Sequence, residues 1–464
     1  MAATRRFRVE RDSMGPMRVP DRALYGASTA RAVQNFPISG RGLPAAVVHA
    51  LGWIKWAAAR ANAACGMIPR PMARAIARAA EEVATGTWDA EFAVDCYQTG
   101  SGTSSNMNAN EVIAHRARSF VAKAHWPHPN DHVNFGQSSN DVIPTAIHVA
   151  ALQSLSALMP ALEAMETELR AKARAFHGVL KSGRTHLQDA TPIRLGQEFS
   201  GYAHQIRLAR ERLRDTARRV AELPLGGTAV GTGVNTHPRF PALAIRHLAE
   251  RLRLPFREAR NHFQAQAAPD TLVELAAGLK VLAVALMKIG NDLRWLASGP
   301  RCGIGELDLP AVQPGSSIMP GKINPVIIES ILQVAARVIA NDHAVTVGGQ
   351  WGNFELNTMY PLIGEALCES LQLLTAAVRN LTARCLKGLR ANAKRCAALL
   401  EHNLSVGTAL APVIGYDLAA KLIKTAFADG ATLGDVVARE TELPPERIAH
   451  LLDPAKHTQP GVAK

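Results

Sequence analysis

The stretch 315–325 holds the side chains best suited to binding an anion. Ser316, Ser317, Lys322 and Asn324 follow one another closely there, between glycines and prolines. Glycine and proline disfavour a regular helix, so this segment is predicted to be a loop. Hydroxyl, amide and ammonium groups, together with free backbone N–H groups, are the donors that hold a carboxylate. The stretch therefore predicts an anion-binding loop, with an ordinary polar surface loop as the plainer interpretation.

Three further segments, 98–108, 136–141 and 183–189, are also rich in hydrogen-bond donors. Each has a plain alternative, because the first is compatible with a simple turn and the second with the cap of a following helix. Capping and anion binding are compatible, since a helix N-terminus presents free N–H groups. The candidate ligand-binding residues in these segments are Ser101, Gly102, Thr103, Ser138, Ser139, Asn140 and Thr185.

His186 is the candidate general acid or base, because an unperturbed imidazole titrates near neutral pH. A structural role is the alternative for any single histidine. Two other motifs could suggest different chemistry. His125, His128, His132 and Asp131 lie close together, but intervening prolines break the helical spacing of metal ligands, so no metal is expected. The glycine-rich segment 225–235 lacks the preceding apolar strand and the lysine that a phosphate loop requires.

The composition predicts a mostly α-helical chain that positions these motifs. The 464 residues are 47% hydrophobic and only 5% aromatic, with abundant alanine and leucine. This length exceeds one ordinary core. The sequence changes from short segments punctuated by proline and glycine to long apolar repeats, and then back to shorter segments. These changes predict an N-terminal domain at 1–140, a central helical domain at 141–395 and a small C-terminal domain at 396–464.

Long apolar repeats at helical spacing predict that the central domain is a five-helix bundle. Such helices must bury their apolar faces against one another. The first helix starts near Pro144, and the other four are expected at about 193–223, 269–296, 326–341 and 355–386.

The net charge of +13 does not by itself indicate a nucleic-acid partner. The arginines are spread along helices and are not interleaved with aromatic residues at stacking spacing. We expect no apolar run long enough to span a bilayer, and residues 1–6 lead into no apolar secretion segment. We therefore expect a cytoplasmic protein with no membrane or nucleic-acid partner.

The four motif segments, in this order and with flanking similarity, resemble class II fumarases of the fumarase/aspartase superfamily. The resemblance implies a three-domain fold, a homotetramer with a twenty-helix core, and hydration of fumarate to (S)-malate without a cofactor. It implies that each active site combines segments from three subunits. It also implies a place in the tricarboxylic acid cycle.

The resemblance further assigns roles to individual residues. His186, with a bound water, would act on the substrate oxygen, and Glu329 would orient and charge that histidine. Ser316 matches the proposed carbon base, a role that requires an alkoxide stabilised by N–H groups and Lys322. In the loop, substrate would be bound by Ser317, Lys322, Ile323 and Asn324. A second dicarboxylate site would be formed by His128, Pro129, Asn130 and Asp131.

Aspartate ammonia-lyase is the nearest alternative within the superfamily, and a hydratase of substituted fumarates is another. The ammonia-lyases usually carry glutamine at the position of His186 and threonine at that of Ser139, which favours a hydratase. Two positions depart from the common fumarase sequence. The residues after Pro325 are more similar to the aspartase form, and Phe135 replaces a usually polar or basic residue. Neither departure removes a catalytic group.

Overall fold

The chain is built mainly from α-helices, which confirms the predicted fold class. The computed structural model describes residues 6–462. The helices in the first half are Ala27–Asn35 (α1), Ala45–Ala64 (α2), Arg70–Ala84 (α3), Thr103–Ala117 (α4), Ser139–Ala175 (α5), Leu195–Val220 (α6), Phe240–Leu252 (α7) and His262–Ala267 (α8). Those in the second half are Asp270–Leu296 (α9), Val326–Gly349 (α10), Tyr360–Leu381 (α11), Ala393–Glu401 (α12), Ala411–Ile414 (α13), Tyr416–Asp429 (α14), Leu433–Glu440 (α15) and Pro445–Leu451 (α16).

The strands form small two-stranded sheets. In chain order they are Phe7–Asp12 (β1), Gly15–Pro20 (β2), Leu180–Thr185 (β3), Gln188–Arg194 (β4), Glu222–Leu223 (β5), Arg257–Glu258 (β6), Leu307–Asp308 (β7), Gly352–Asn353 (β8), Leu356–Asn357 (β9) and Arg390–Ala391 (β10). The pairs β1–β2, β3–β4, β7–β10 and β8–β9 are antiparallel, and β5–β6 is parallel. The turn of the hairpin β3–β4 carries His186, the candidate acid or base.

By compactness the chain divides into two units, which we call unit 1 and unit 2. Unit 1 comprises the residues up to Pro160 together with Ala209–Val284 and Val334–Ala376. Unit 2 comprises Ala161–Leu208, Ala285–Gln333 and the residues from Ala377 onward. The domain boundaries at 140 and 395 stay a prediction, as does the twenty-helix tetramer core.

In unit 1 the long helices pack closely on one another. A Cβ atom added to Gly364 of α11 would lie 3.1 Å from the side chain of Ile147 on α5, so these helices approach closely. Lys280 of α9 forms an ion pair of 2.6 Å with Asp342 of α10. The predicted packing of long helices is therefore present in this unit.

Unit 2 shows the same kind of packing. The hydroxyl of Tyr202 on α6 donates to Asp292 Oδ2 on α9 over 2.9 Å. A Cβ atom at Gly290 of α9 would lie 3.1 Å from Ile328 of α10. A small residue at this position lets α9 and α10 approach.

Two predicted helix boundaries were wrong. Helix α10 continues to Gly349 and does not end near 341. The β-branched residues in this last part disfavour a helix locally, but burial of Val345 in the core outweighs that preference. Helix α11 begins at Tyr360, because the preceding residues form β8 and β9. Asn357 stabilises this break, since its side-chain amide donates to Gly348 O over 2.9 Å.

The expectation that no helix is long and apolar enough to cross a membrane was also wrong. By length and composition, Ser139–Ala175 and the combined segment Tyr360–Leu386 are both sufficient. However, 72% and 56% of their most apolar stretches are buried inside the protein. The same apolar surface therefore serves helix packing. Residues 1–5, on which the expected lack of a secretion signal also depends, lie outside the described residues.

Candidate active site

The N-terminus of α4 presents the first predicted group of donors in unit 1. Gly102 precedes the helix with a left-handed φ of 70°, a conformation that favours glycine. A Cβ atom there would also lie 2.9 Å from Ile143. The hydroxyls of Ser101 and Thr103 lie 2.7 Å apart. Gly102 has no side chain to cap the helix, whereas Gln98 Oε1 accepts from Ser105 N over 2.9 Å. The N–H groups that precede Ser105 in this first turn are suited to an anion.

The N-terminus of α5, also in unit 1, carries the second group. The hydroxyl of Ser138 accepts from Asn140 N over 3.2 Å, and Asp141 Oδ1 accepts from Ser138 N over 2.9 Å. This reciprocal arrangement confirms the predicted cap. The hydroxyl of Ser139 accepts from the amide of Asn106 over 3.0 Å. Both serines are therefore fixed in orientation at the start of a long helix.

Asp141 connects this helix start to the glycine-rich segment 225–235. Its Oδ2 accepts from Gly226 N over 2.9 Å and from Thr228 N over 3.0 Å. The side-chain amide of Asn140 donates to Ala229 O over 2.8 Å. Burial raises the pKa of Asp141, while these backbone hydrogen bonds oppose the rise. The segment thus lies beside Asn140 and braces it.

Lys55 is a buried lysine beneath the same site, and sequence analysis missed it. Its Nζ donates to Asn134 Oδ1 over 2.8 Å and to Gln137 Oε1 over 3.0 Å, just before Ser138. Burial lowers the pKa of Lys55 to about 7, with the Asp141 carboxylate opposing the fall. The available signal was a lone lysine in the apolar, alanine-rich sequence of α2.

The turn between β3 and β4, in unit 2, carries His186. Thr185 pairs with Gln188, so His186 and Leu187 form a two-residue turn with φ values of 57° and 59°. A type I′ turn requires two left-handed residues and usually contains asparagine and glycine. Each L side chain in that conformation costs about 1–2 kcal/mol. Leu187 is 66% exposed, so burial within this chain does not offset the strain.

The predicted anion-binding loop, in unit 2, is closed on itself by hydrogen bonds. Gly315 N donates to Lys322 O over 2.9 Å, and the side-chain amide of Asn324 donates to Gly315 O. Ser317, Lys322 and Ile323 are exposed. The closure brings the two ends of the loop together and leaves these three side chains accessible.

Ser316 is the most specifically held hydroxyl of this loop. Its Oγ accepts from Met319 N over 2.9 Å and from Ile318 N over 3.2 Å. Two N–H groups directed at one oxygen stabilise negative charge on it. The arrangement therefore favours the alkoxide that a serine base requires.

A cavity beside the loop is lined by the predicted site residues at the C-terminal end of the loop. Its lining includes Lys322, Ile323 and Asn324 together with Arg294 and Trp295. Two cationic side chains at one cavity suit an anionic ligand. Arg294 was not predicted from the sequence.

Glu329 lies in the first turn of α10, directly after the loop, and is partly buried. Both His186 and Glu329 belong to unit 2, but no hydrogen bond or ion pair joins them in the part of the chain that the structure describes. Their pairing stays a prediction.

The predicted second dicarboxylate site is an exposed turn in unit 1. His128 Nδ1 accepts from Asp131 N over 3.2 Å, and His132 Nδ1 accepts from His128 N over 2.8 Å. The two nitrogens therefore hold the turn Pro129–Val133 together, while Asn130 remains exposed. Within residues 6–462 no group of three or more His, Cys, Asp or Glu side chains could hold a metal ion.

Comparison with known protein families gives two matches. The model described as "Lyase" matches residues 15–340, and the model described as "Fumarase C C-terminus" matches residues 407–459. Together they cover the segments that carry the predicted site.

Individual proteins are similar over the whole chain. A class II fumarate hydratase of Xylella fastidiosa is 51% identical, covering 100% of this chain and 98% of its own length. One of Halobacterium salinarum is 49% identical, with 98% of each chain covered. The crystal structure of class II fumarase from Schistosoma mansoni superposes with a TM-score of 0.94 at 37% identity, covering 97% of this chain and 99% of that chain.

Proposed function

The chain belongs to the class II fumarate hydratases, and from this premise we propose how its residues interconvert fumarate and (S)-malate. The enzyme is a lyase. In the dehydrating direction, a base removes a proton from the carbon next to one carboxylate, and an acid protonates the departing hydroxyl. In the hydrating direction, the same two groups exchange roles.

Substrate binding requires many preorganised donors, because the carbanion intermediate adds charge to an existing dicarboxylate. The helix N-termini that carry Ser101 with Thr103, and Ser138 with Asn140, offer such donors. Thr185, Ser317, Lys322 and Asn324 contribute the rest in this proposal, with Gly102, Ser139 and Ile323 completing the lining.

His186, through a bound water, acts on the substrate oxygen. Its position at an exposed turn supports this role, because it leaves the imidazole accessible to substrate. Glu329 orients the ring and favours its charged form.

Ser316 removes the carbon-bound proton as an alkoxide. The observation that carries this part of the proposal is the pair of N–H groups, from Ile318 and Met319, that donate to its Oγ. Lys322, on the same loop, adds positive charge. No resident cofactor takes part in the proposed steps.

The active site is shared between subunits of a homotetramer in this proposal. The motifs that carry the predicted site fall in separate stretches of the chain, at 98–108, 136–141, 183–189 and 315–325. A test mixes inactive His186→Asn and inactive Thr103→Val proteins and exchanges their subunits. Mixed tetramers that contain one intact site should regain part of the activity, whereas full exchange without recovery contradicts shared sites.

The surroundings of the enzyme belong to the same proposal. We place it in the cytoplasm and the tricarboxylic acid cycle, without a membrane or nucleic-acid partner, and keep residues 128–131 as a second dicarboxylate site. Arginines at the surface pair with acidic side chains of the same chain, as Arg219 does with Asp215 and Glu274 over 2.8 and 2.5 Å. Such pairing supports a solvated surface without a nucleic-acid partner.

A direct assay tests the function. Purified protein is mixed with fumarate, with and without ammonia, and the loss of fumarate absorbance is followed after exhaustive chelation. We expect ammonia-independent conversion to (S)-malate at full rate. Conversion only with ammonia, or activity that returns only with an added divalent ion, contradicts the proposal.

A further inference from the structure

The strained turn at His186 raises the question of what holds it in place. Left-handed residues with side chains persist only where the surrounding structure imposes the conformation. The turn itself is exposed, so the constraint must act through the strands β3 and β4. Two buried contacts in unit 2 reach these strands close to the turn.

The first contact is an ion pair at the turn end of β3. Arg184, two residues before His186, donates from both terminal nitrogens to Glu306, over 2.9 and 3.0 Å. Glu306 is fully buried, and its carboxylate also lies 3.2 Å from the ammonium of buried Lys181. A bidentate arginine–carboxylate pair fixes both distance and orientation.

The segment that presents Glu306 is itself held from several directions. Glu306 N donates to Leu296 O over 2.8 Å, and Glu306 O accepts from Asn392 N over 2.9 Å. The guanidinium of Arg395 donates to Ile304 O and Gly303 O over 3.0 Å each. Glu306 is therefore a rigid anchor for the guanidinium of Arg184.

The second contact fixes the middle of the hairpin. The pairing shifts register between Ser182 and Gly183, so the ladder is weakened there. The side-chain amide of Asn403 donates to both strands, to Ser182 Oγ over 2.7 Å and to Ala190 O over 2.8 Å. Between these Asn403 contacts and His186, the described structure gives β3 one further buried side-chain contact. That contact is the Arg184–Glu306 pair.

We propose that Arg184 and Glu306 are positioning residues, whose buried bidentate pair holds the β3–β4 turn so that the His186 imidazole stands in its proton-transfer position. The inference rests on the proposed role of His186. Neither residue needs to touch substrate, because both act through the hairpin.

Arg184→Lys tests the proposal, since lysine keeps the charge but cannot make the bidentate contact. A misplacement of about 1 Å at a reacting group costs roughly 100-fold in rate. We expect kcat to fall 10- to 100-fold, while KM and the affinity for a non-reacting dicarboxylate such as succinate change less than threefold. A loss confined to KM or to the unfolding temperature overturns the proposal.

The matched control is Arg194→Lys at the open end of the same hairpin. Arg194 also makes polar contacts, donating to Thr458 Oγ1 and His177 O over 3.1 Å each, but it pairs with Leu180 far from the turn. We expect kcat to stay within twofold of wild type. Equal losses in both variants would mean that hairpin stability alone matters, against the proposal.

A third comparison separates positioning from general damage. Arg184→Lys should cost nothing further in a His186→Asn background, because the pair acts only through the imidazole. A repeated loss in that background overturns the proposal. Full activity of His186→Asn alone would instead refute the proposed acid. If Arg184→Lys does not fold, Glu306→Asp replaces it with the same expectations.

Discussion

Replacing Lys55 by methionine should change how the stability of the protein depends on pH. Lys55 is fully buried, and burial lowers its pKa from 10.5 to about 7. The unfolded chain therefore binds a proton at pH values where the folded protein does not. Under those conditions the unfolding free energy rises with pH. Methionine has a similar length and no charge, so it removes this linkage.

The expected magnitude follows from the two pKa values. Each pKa unit corresponds to about 1.4 kcal/mol. Proton linkage at Lys55 should then add about 3 kcal/mol to the unfolding free energy between pH 7 and pH 9.5. The substitution also removes the donor to Gln137 Oε1, at a cost of about 1–3 kcal/mol. That cost does not vary with pH. A change in the slope of the unfolding free energy against pH therefore reports the titration of Lys55.

The assay is urea unfolding at several pH values and at one fixed protein concentration, since assembly also affects stability. Wild type and Lys55→Met are compared with Lys421→Met, which alters an exposed lysine of α14. The Lys421 variant should follow the wild-type slope, and the Lys55 variant should rise about 3 kcal/mol less over this range. Parallel curves for all three proteins would refute the reasoning.

Three further predictions concern the site. His186→Asn and Glu329→Gln should each lower kcat about 10- to 10⁴-fold, and the double variant should lose little more than His186→Asn. If the losses in kcat/KM are additive, His186 and Glu329 act independently, and the proposed pair is wrong. Gly100→Ala should destabilise the protein by about 1–3 kcal/mol, because its Cβ would lie 2.0 Å from Thr358 O; an unchanged urea midpoint contradicts this close approach. Leu187→Gly should stabilise it by about 1 kcal/mol by relieving the left-handed strain, and a lower midpoint would count against that strain.

Much of the fold was predictable because its signals are local. Apolar residues at helical spacing predicted the long helices, and proline with glycine predicted the loop at 315–325. The boundaries were less accurate where packing opposed local preference. Val345 continues α10 because it is buried, and Asn357 ends the helical run through a hydrogen bond to Gly348.

The polar site residues were also predictable, because their types are tied to anion chemistry and their order along the chain resembles a known family. Ser138 indeed caps α5, as its position before the apolar repeats indicated. The sequence contains no signal for the partners of these residues. Arg184 and Glu306 are more than a hundred residues apart, and neither is unusual by itself.

By itself, then, the sequence determined the helical class, the family and the residues able to do the chemistry, since these depend on composition, period and local order. Only the tertiary structure showed the strained turn at His186, the N–H groups on Ser316 and the buried ionisable groups of Lys55 and Glu306. Burial and charge pairing depend on segments that are distant along the chain. Their energies arise only when folding removes water and brings those segments into contact.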